Sequence, residues 1–212
     1  MKSILFFDAE TTGLPDNFNA PYTDLENWPR LVQLAWQQYR GETLSAEGCR
    51  IVAPDDWTIP EAASRIHGIS TERAILDGRP AWEVLDIFGQ VLSTSELVVA
   101  HNYWFDFPIV AAEMVRAHHH KIVLLEKTPW YCTKEQGTNL CRIPKKKSYY
   151  ANSSTYKWPS LDELHQFLFN EPIAGREQFH DAMIDVRATA RCYFEIQRRA
   201  EGPKDHTIAT IL

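Results

Sequence analysis

The chain reads as an α/β protein, a mixed β-sheet flanked by α-helices, and three observations carry that reading. Three strand-like stretches crowd into the first fifty-two residues as a meander. Apolar stripes of helical spacing dominate the rest of the chain. Between them lies one short, wholly apolar run, LVVA at 97–100, the pattern of a strand buried on both faces.

The first strand opens ILFFDAETTGLP, with Ile4 to Phe7 apolar and two acids directly after them. Side chains in a strand alternate faces, so Asp8 and Glu10 point one way and Phe7 and Ala9 the other. Two carboxylates held that close repel unless a cation or a shared proton lies between them. A strand that has merely reached solvent also ends in acids, so this stretch alone leaves both readings open.

The next run, RLVQLAWQQYR at 30–40, alternates Leu31, Gln33, Ala35 and Gln37 with Val32, Leu34, Trp36 and Gln38, as a half-buried strand does. Gly41-Glu42 turns it into a third strand at 43–52. Helices are expected at 59–68 and at 81–92, where Trp82, Val84, Leu85, Ile87, Phe88 and Leu92 form a stripe. After LVVA, a helix runs from Tyr103 to His118 with Asn102 as its cap, which puts Asp106 about one turn in. The stretch 133–159 has weak periodicity and combines Lys145, Lys146 and Lys147 with Tyr149, Tyr150, Tyr156 and Trp158. Such lysines and rings suit a single nucleic-acid strand, or equally a solvated loop over packed aromatics. Ser160 caps a helix through SLDELHQFLFN, and a last helix spans 181–199 with Asp181 as cap.

The 212 residues, 44% hydrophobic and 24% charged, suit one globular domain over 1–200 with a short tail at 201–212. No apolar run has the length of a membrane span, and residues 1–7 are too short for a signal peptide, so the expected location is the cytoplasm. Cys49, Cys132, Cys141 and Cys192 show no zinc or redox spacing. A net charge of -6 is unlike the basic surplus of most nucleic-acid binders. Carboxylates gathered around divalent cations are acidic in sequence yet nearly neutral when loaded, so charge does not decide the class.

Two further acids stand at element ends. Asp106 follows a buried strand, at the carboxyl end where α/β sheets bind ligands, although an acid in a first turn also serves the helix dipole. Asp185 shares a helical face with Ala182, Ala188, Thr189 and Cys192, all small, so that face can lie close against the sheet. A charge on such a face needs a partner, and His180 stands in the entry loop just before it.

Asp8, Glu10, Asp106 and Asp185 offer the hard oxygen ligands that magnesium or manganese prefers. With His180, they make the chain resemble the DnaQ-like, or DEDDh, family of 3′-to-5′ exonucleases, which has an RNase H-like fold. The matching segments are Asp8-Ala-Glu10-Thr-Thr-Gly13, His101-Asn102-x-x-Phe105-Asp106 and His180-x-x-x-x-Asp185. Ile66-His67-Gly68-Ile69, TPWYCT and KWPSLDEL resemble the family's other landmarks, so the likeness spans about residues 3–200.

The resemblance implies two divalent cations, Mg2+ or Mn2+. Asp8 would bridge them, Glu10 and Asp185 would complete the first site, and Asp106 would serve the second. His180 would deprotonate the attacking water, releasing nucleoside 5′-monophosphates from a 3′ end. Backbone amides of Thr11, Thr12 and Gly13 would meet the terminal nucleotide, Leu14 and Phe105 would wedge against its base, and His67 and Asn102 would contact substrate. The expected partner is single-stranded nucleic acid or a frayed 3′ end, DNA ahead of RNA, with no membrane. An RNA-trimming exonuclease, a non-catalytic polymerase-associated module, a homodimer and an aspartyl-nucleophile phosphatase stay open at this level.

Overall fold

The computed structural model describes residues 1–145, 156–176 and 180–201. Its centre is a five-stranded sheet in the order β3-β2-β1-β4-β5. The strands are β1 (Ser3–Thr11), β2 (Leu31–Arg40), β3 (Thr43–Ile51), β4 (Leu97–Ala100) and β5 (Trp130–Cys132). The first three form the antiparallel meander, whereas β4 and β5 add in parallel beyond β1. The parallel step from the meander to β4 requires a crossover. Helices α1 (Glu61–His67), α2 (Thr71–Asp77) and α3 (Ala81–Leu92) supply it.

Strand alternation sorts the core. Leu5, Phe7 and Ala9 face one way, into a cluster with Trp36, Phe88 of α3, and Ile109 and Val110 of α4 (Tyr103–Arg116). Ile4 and Phe6 face the other way, against Ala182, Val186 and Tyr193 of α8 (Ala182–Glu201). With helices on both faces, β2 is buried on both, not half-buried as its alternation suggests. Its glutamines survive there because each has a partner: Gln37 donates to Glu47, and Gln38 to Val91 O, Thr94 and Ser95.

Helices α5 (Ile122–Lys127), α6 (Thr133–Cys141) and α7 (Leu161–Phe169) complete the order, and α7 and α8 share a cluster around Leu164, Ala188 and Cys192. Ser160 caps α7 through a full capping box with Glu163, as its sequence predicts. The weakly periodic stretch 133–159 begins as α6, whose packing depends on Gly137: a Cβ there would lie 2.9 Å from Leu164 Cδ1. Lys146, Lys147, Tyr149 and Tyr150 lie outside the described residues. Among the described residues, no helix is long and apolar enough to cross a membrane.

Candidate active site

The site exists because β1 outgrows one of its neighbours. Against β2 it is paired from Ser3 to Thr11, but against β4 only from Ile4 to Phe6. The strand therefore runs past Phe7, further than its apolar residues indicate, because β2 continues to pair with it. Beyond Phe6, its other edge is free of β4, and Asp8 and Glu10 stand along that free length. The edge is not left unsatisfied, since Asp106 Oδ1 accepts the Ala9 N–H at 3.2 Å.

Asp106 reaches that amide from the first turn of α4. Asn102 occupies the cap position, but its side chain makes no cap bond, because its backbone is left-handed (φ 119°) and a capping side chain needs an extended one. Its Oδ1 accepts from Lys134 Nζ at 3.0 Å instead.

The start of α8 is held from two sides. Asp181 Oδ1 accepts from the amides of Met183 (2.9 Å) and Ile184 (3.2 Å), the predicted cap. Gln33 Oε1, from β2, accepts from the Ala182 amide at 3.1 Å and so ties the helix end to the sheet. Ala182, Ala188, Thr189 and Cys192 are buried, and the helix brings Asp185 down beside β1.

Asp8, Glu10, Asp106 and Asp185 line one cavity of about 260 Å³, together with His101, Lys134, Arg176 and His180. Their electrostatics agree with one another. Burial, then Asp106, Asp185 and Glu10, push the Asp8 carboxyl well above its ordinary range. Asp106 is raised in the same way by burial, against the pull of the Ala9 amide. Burial and then Asp185 lift Glu10 to about 8. Burial lifts Asp185 to about 6 although Arg176 works against it. Four carboxylates that favour protonation when crowded together carry an excess of negative charge that a cation would relieve.

Hard oxygen donors with that excess fit divalent cations of the magnesium or manganese class. One atom fits them in particular: Asp185 Oδ1 is buried with no hydrogen-bond partner. Glu10, His180 and Asp185 also present possible ligand atoms within 4.8 Å of one another.

Arg176, which has no counterpart among the sequence-derived site residues, is a cation already present beside Asp185. Its guanidinium donates to Asp185 Oδ2 at 2.9 Å and to Asp162 Oδ2 at 2.8 Å. It also lies 3.0 Å from His180 Nδ1. A guanidinium only donates, so Nδ1 accepts and the neutral His180 ring carries its proton on Nε2. Burial, and then the Arg176 charge, hold the His180 pKa below its ordinary value. The ring itself is half-exposed, and its backbone amide donates to Ile66 O at 2.9 Å. That bond gives the Ile66-His67-Gly68 segment a role in holding the loop that carries His180.

His101 is excluded as a base by its own bonds. Nε2 faces Pro159 O at 3.3 Å and so carries the proton, Nδ1 faces the Thr133 hydroxyl at 2.9 Å, and burial drives the pKa to about 3.

The proposed substrate contacts divide. Asn102 and Phe105 line the cavity, whereas Thr11, Thr12, Gly13, Leu14 and His67 do not. The Thr12 amide is committed to Arg30 O at 3.0 Å, because the bulge after Glu10 turns the chain back onto the start of β2. The Gly13 amide meets Thr11 Oγ1 at 3.4 Å, a longer contact. Leu14 is 72% exposed. His67 is buried, with Nδ1 accepting from the Ile69 amide at 3.2 Å.

Residues 5–193 match the RNase_T family model, described as Exonuclease. No curated protein matches the chain. Among solved structures, E. coli exonuclease I in complex with a dT13 oligonucleotide superposes with a TM-score of 0.69 at 16% identity, over 95% of this chain and 42% of the other. Its complex with a dA16 oligonucleotide gives 0.68 at 17% identity over the same shares. The zinc-bound form of the E. coli exonuclease I–single-stranded DNA complex also gives 0.68 at 17%, again over 95% and 42%. The likeness is one of fold, RNase H-like, and the chain spans under half the length of these structures.

Proposed function

The chain belongs to the exonuclease family, DnaQ-like in its fold, and on that premise we propose that it removes nucleotides singly from the 3′ end of a single nucleic-acid strand, DNA ahead of RNA. The observation that carries this reading is the convergence of Asp8, Glu10, Asp106 and Asp185 on one cavity with His180 beside them. The similar structures are complexes with a dT13 oligonucleotide and with single-stranded DNA, and we take the same substrate class for this chain.

In this reading Asp8, Glu10 and Asp185 would hold one Mg2+ or Mn2+, and Asp8 and Asp106 would hold a second. When bound, such ions neutralise charge on the phosphodiester and make water more acidic. The chain's own residues do the rest. Asp106 keeps β1 and α4 in register through the Ala9 amide, so the two carboxylates of β1 and the one of α4 move together. Phe105 and Asn102 form the wall against which the terminal nucleotide rests.

His180 takes the proton from the attacking water. In the conformation described, Arg176 occupies the lone pair of Nδ1 and leaves the proton on Nε2. An imidazole in that state has no free nitrogen with which to accept a proton. Arg176 must therefore withdraw from Nδ1 before His180 acts, and the site's negative charge then needs the divalent cations that replace it.

The test is digestion of single-stranded DNA and RNA of one sequence, each labelled at either end, with Mg2+ or Mn2+. The 5′-labelled DNA is expected to shorten stepwise, and the 3′-labelled DNA to lose its label as a mononucleotide. Internal cuts, or stepwise shortening of the 3′-labelled strand, would contradict the proposal.

A further inference from the structure

Arg176 lines the catalytic cavity, and its guanidinium is anchored at one end and partly idle at the other. Nη1 donates to Asp162 Oδ2 at 2.8 Å, whereas Nη2 is divided between Asp185 Oδ2 at 2.9 Å and His180 Nδ1 at 3.0 Å. Nε is buried with no hydrogen-bond partner. A buried donor without an acceptor is costly, and a guanidinium cannot shed the proton to escape the cost.

We propose that Arg176 is a catalytic residue: freed from Asp185, it holds the reacting phosphate through Nε and Nη2, with Asp162 as its anchor. The proposal rests on the exonuclease reading, whose substrate supplies the phosphate.

The shape of the guanidinium favours this ligand. Nε–H and the neighbouring N–H of Nη2 lie parallel on one edge of the plane, a fork that matches two oxygens of a phosphate. In the conformation described, one prong is spent on Asp185 and His180 and the other is idle. Withdrawal of Nη2, which His180 requires before it can accept a proton, opens the whole fork. Asp162, in the first turn of α7, is not one of the four clustered carboxylates, so loading the site with cations leaves the Nη1 anchor in place.

Its position points the same way. His180 Nδ1 and Asp185 Oδ2 are 3.9 Å apart, and the guanidinium reaches both. The reacting phosphate must meet the same two neighbours, because its attacking water lies against His180 and its oxygens lie on the cations that Asp185 would hold. Arg176 therefore stands beside the place where charge builds up on the phosphate. The chain keeps it there. Gly175 has a left-handed backbone (φ 85°), and a Cβ on it would lie 3.2 Å from Ile184 Cδ1, so the loop closes tightly on the first turn of α8.

The experiment titrates thymidine 5′-monophosphate, the product expected from a thymidylate strand, into the full chain at saturating Mn2+, with thymidine as the control that lacks the phosphate. Arg176→Ala should weaken binding of the monophosphate by about tenfold to a hundredfold, the range for hydrogen bonds to a charged group, and leave thymidine unchanged. Its Mn2+ affinity should be no lower than the parent's, which a folding defect would not allow. Turnover of oligothymidylate at saturating Mn2+ should fall as well, whereas loss of a mere competitor for Asp185 would not lower it. Arg176→Lys keeps the charge and loses the fork, so it too should bind the monophosphate more weakly than the parent does. It decides the case if the alanine variant is unstable or loses Mn2+. If the variants bind the monophosphate like a parent that shortens the strand, Arg176 is a counter-ion only, and the exonuclease reading stands. If the parent neither binds the monophosphate nor shortens the strand, both are wrong.

Discussion

Asp106 accepts a hydrogen bond from the Ala9 N–H at 3.2 Å, linking residues 97 apart in the chain. Ala9 sits between Asp8 and Glu10, so one bond sets three of the four carboxylates relative to each other.

This bond separates the structural role of Asp106 from its charge. Asp106→Asn keeps an acceptor for the Ala9 amide and removes the repulsion, whereas Asp106→Ala leaves that buried amide unpaired. Both variants should lose exonuclease activity. In chelator, the asparagine variant should be the more stable of the two by about 1–3 kcal/mol, the cost of an unsatisfied buried group. Thermal melts would show this as roughly 2–4 °C per kcal/mol. Equal melting temperatures would mean that the bond does not matter.

The raised carboxyls predict how stability depends on pH. A folded-state pKa above the unfolded one means that the native state holds the extra proton, so stability falls as pH rises through the gap. Glu10, at about 8 against an ordinary 4.5, still titrates above pH 6.5. His67, His101, His119 and His180 act in the opposite sense, because their folded pKa values lie below 6.5, and their effect fades within about a unit above that value. Between about pH 7 and 8 in chelator, stability and with it the melting temperature should therefore fall. Saturating Mn2+ should reverse the trend and raise the melting temperature most at the upper end. A rise with pH in chelator would contradict the cluster's electrostatics.

Arg176 is the counter-charge of Asp185, with a side chain only 10% exposed. Arg176→Ala should destabilise the protein in chelator by about 1–3 kcal/mol, the scale of a lost buried charge partner. The same change should lower the Mn2+ concentration for half-saturation, because the competing cation is gone. Calorimetric titration of Mn2+ into the variant and the parent measures this, and weaker binding by the variant would show that Arg176 helps hold the ions.

The parts of the site that were legible in the sequence share a local geometric rule. Strand alternation alone puts Asp8 and Glu10 on one side, and the small residues around Asp185 announce a closely packed helix face. The cap residues Ser160 and Asp181 carry their signal in a few neighbouring positions, and both are found capping. Asn102 is also a favoured capping residue but has a left-handed backbone, which composition does not reveal. Arg176 is invisible for a different reason. It lies in a loop without period, and its partners Asp162, His180 and Asp185 come together only in the fold. Helix α6 has no apolar stripe to betray it, because it is covered through Gly137 by Leu164 of another helix. The commitment of the Thr12 amide to Arg30 likewise depends on a bulge and on a residue eighteen positions away.

His180 is proposed as a base and not as a ligand, and the two roles diverge on substitution. His180→Ala should reduce turnover by about 10²–10⁴-fold, the range for removal of a general base, with Mn2+ affinity close to the parent's. Asp8→Asn should lose both. Parallel loss of Mn2+ affinity in the two variants would assign His180 to the ions.

The central claim, that the four carboxylates form one divalent-cation centre, is tested most directly by anomalous diffraction from crystals soaked in Mn2+. The expected result is two peaks, one against Asp8, Glu10 and Asp185 and one against Asp8 and Asp106, with Arg176 moved off Asp185. A single peak held by Glu10, Asp185 and a ring nitrogen of His180, or no peak in the cavity at all, would contradict it.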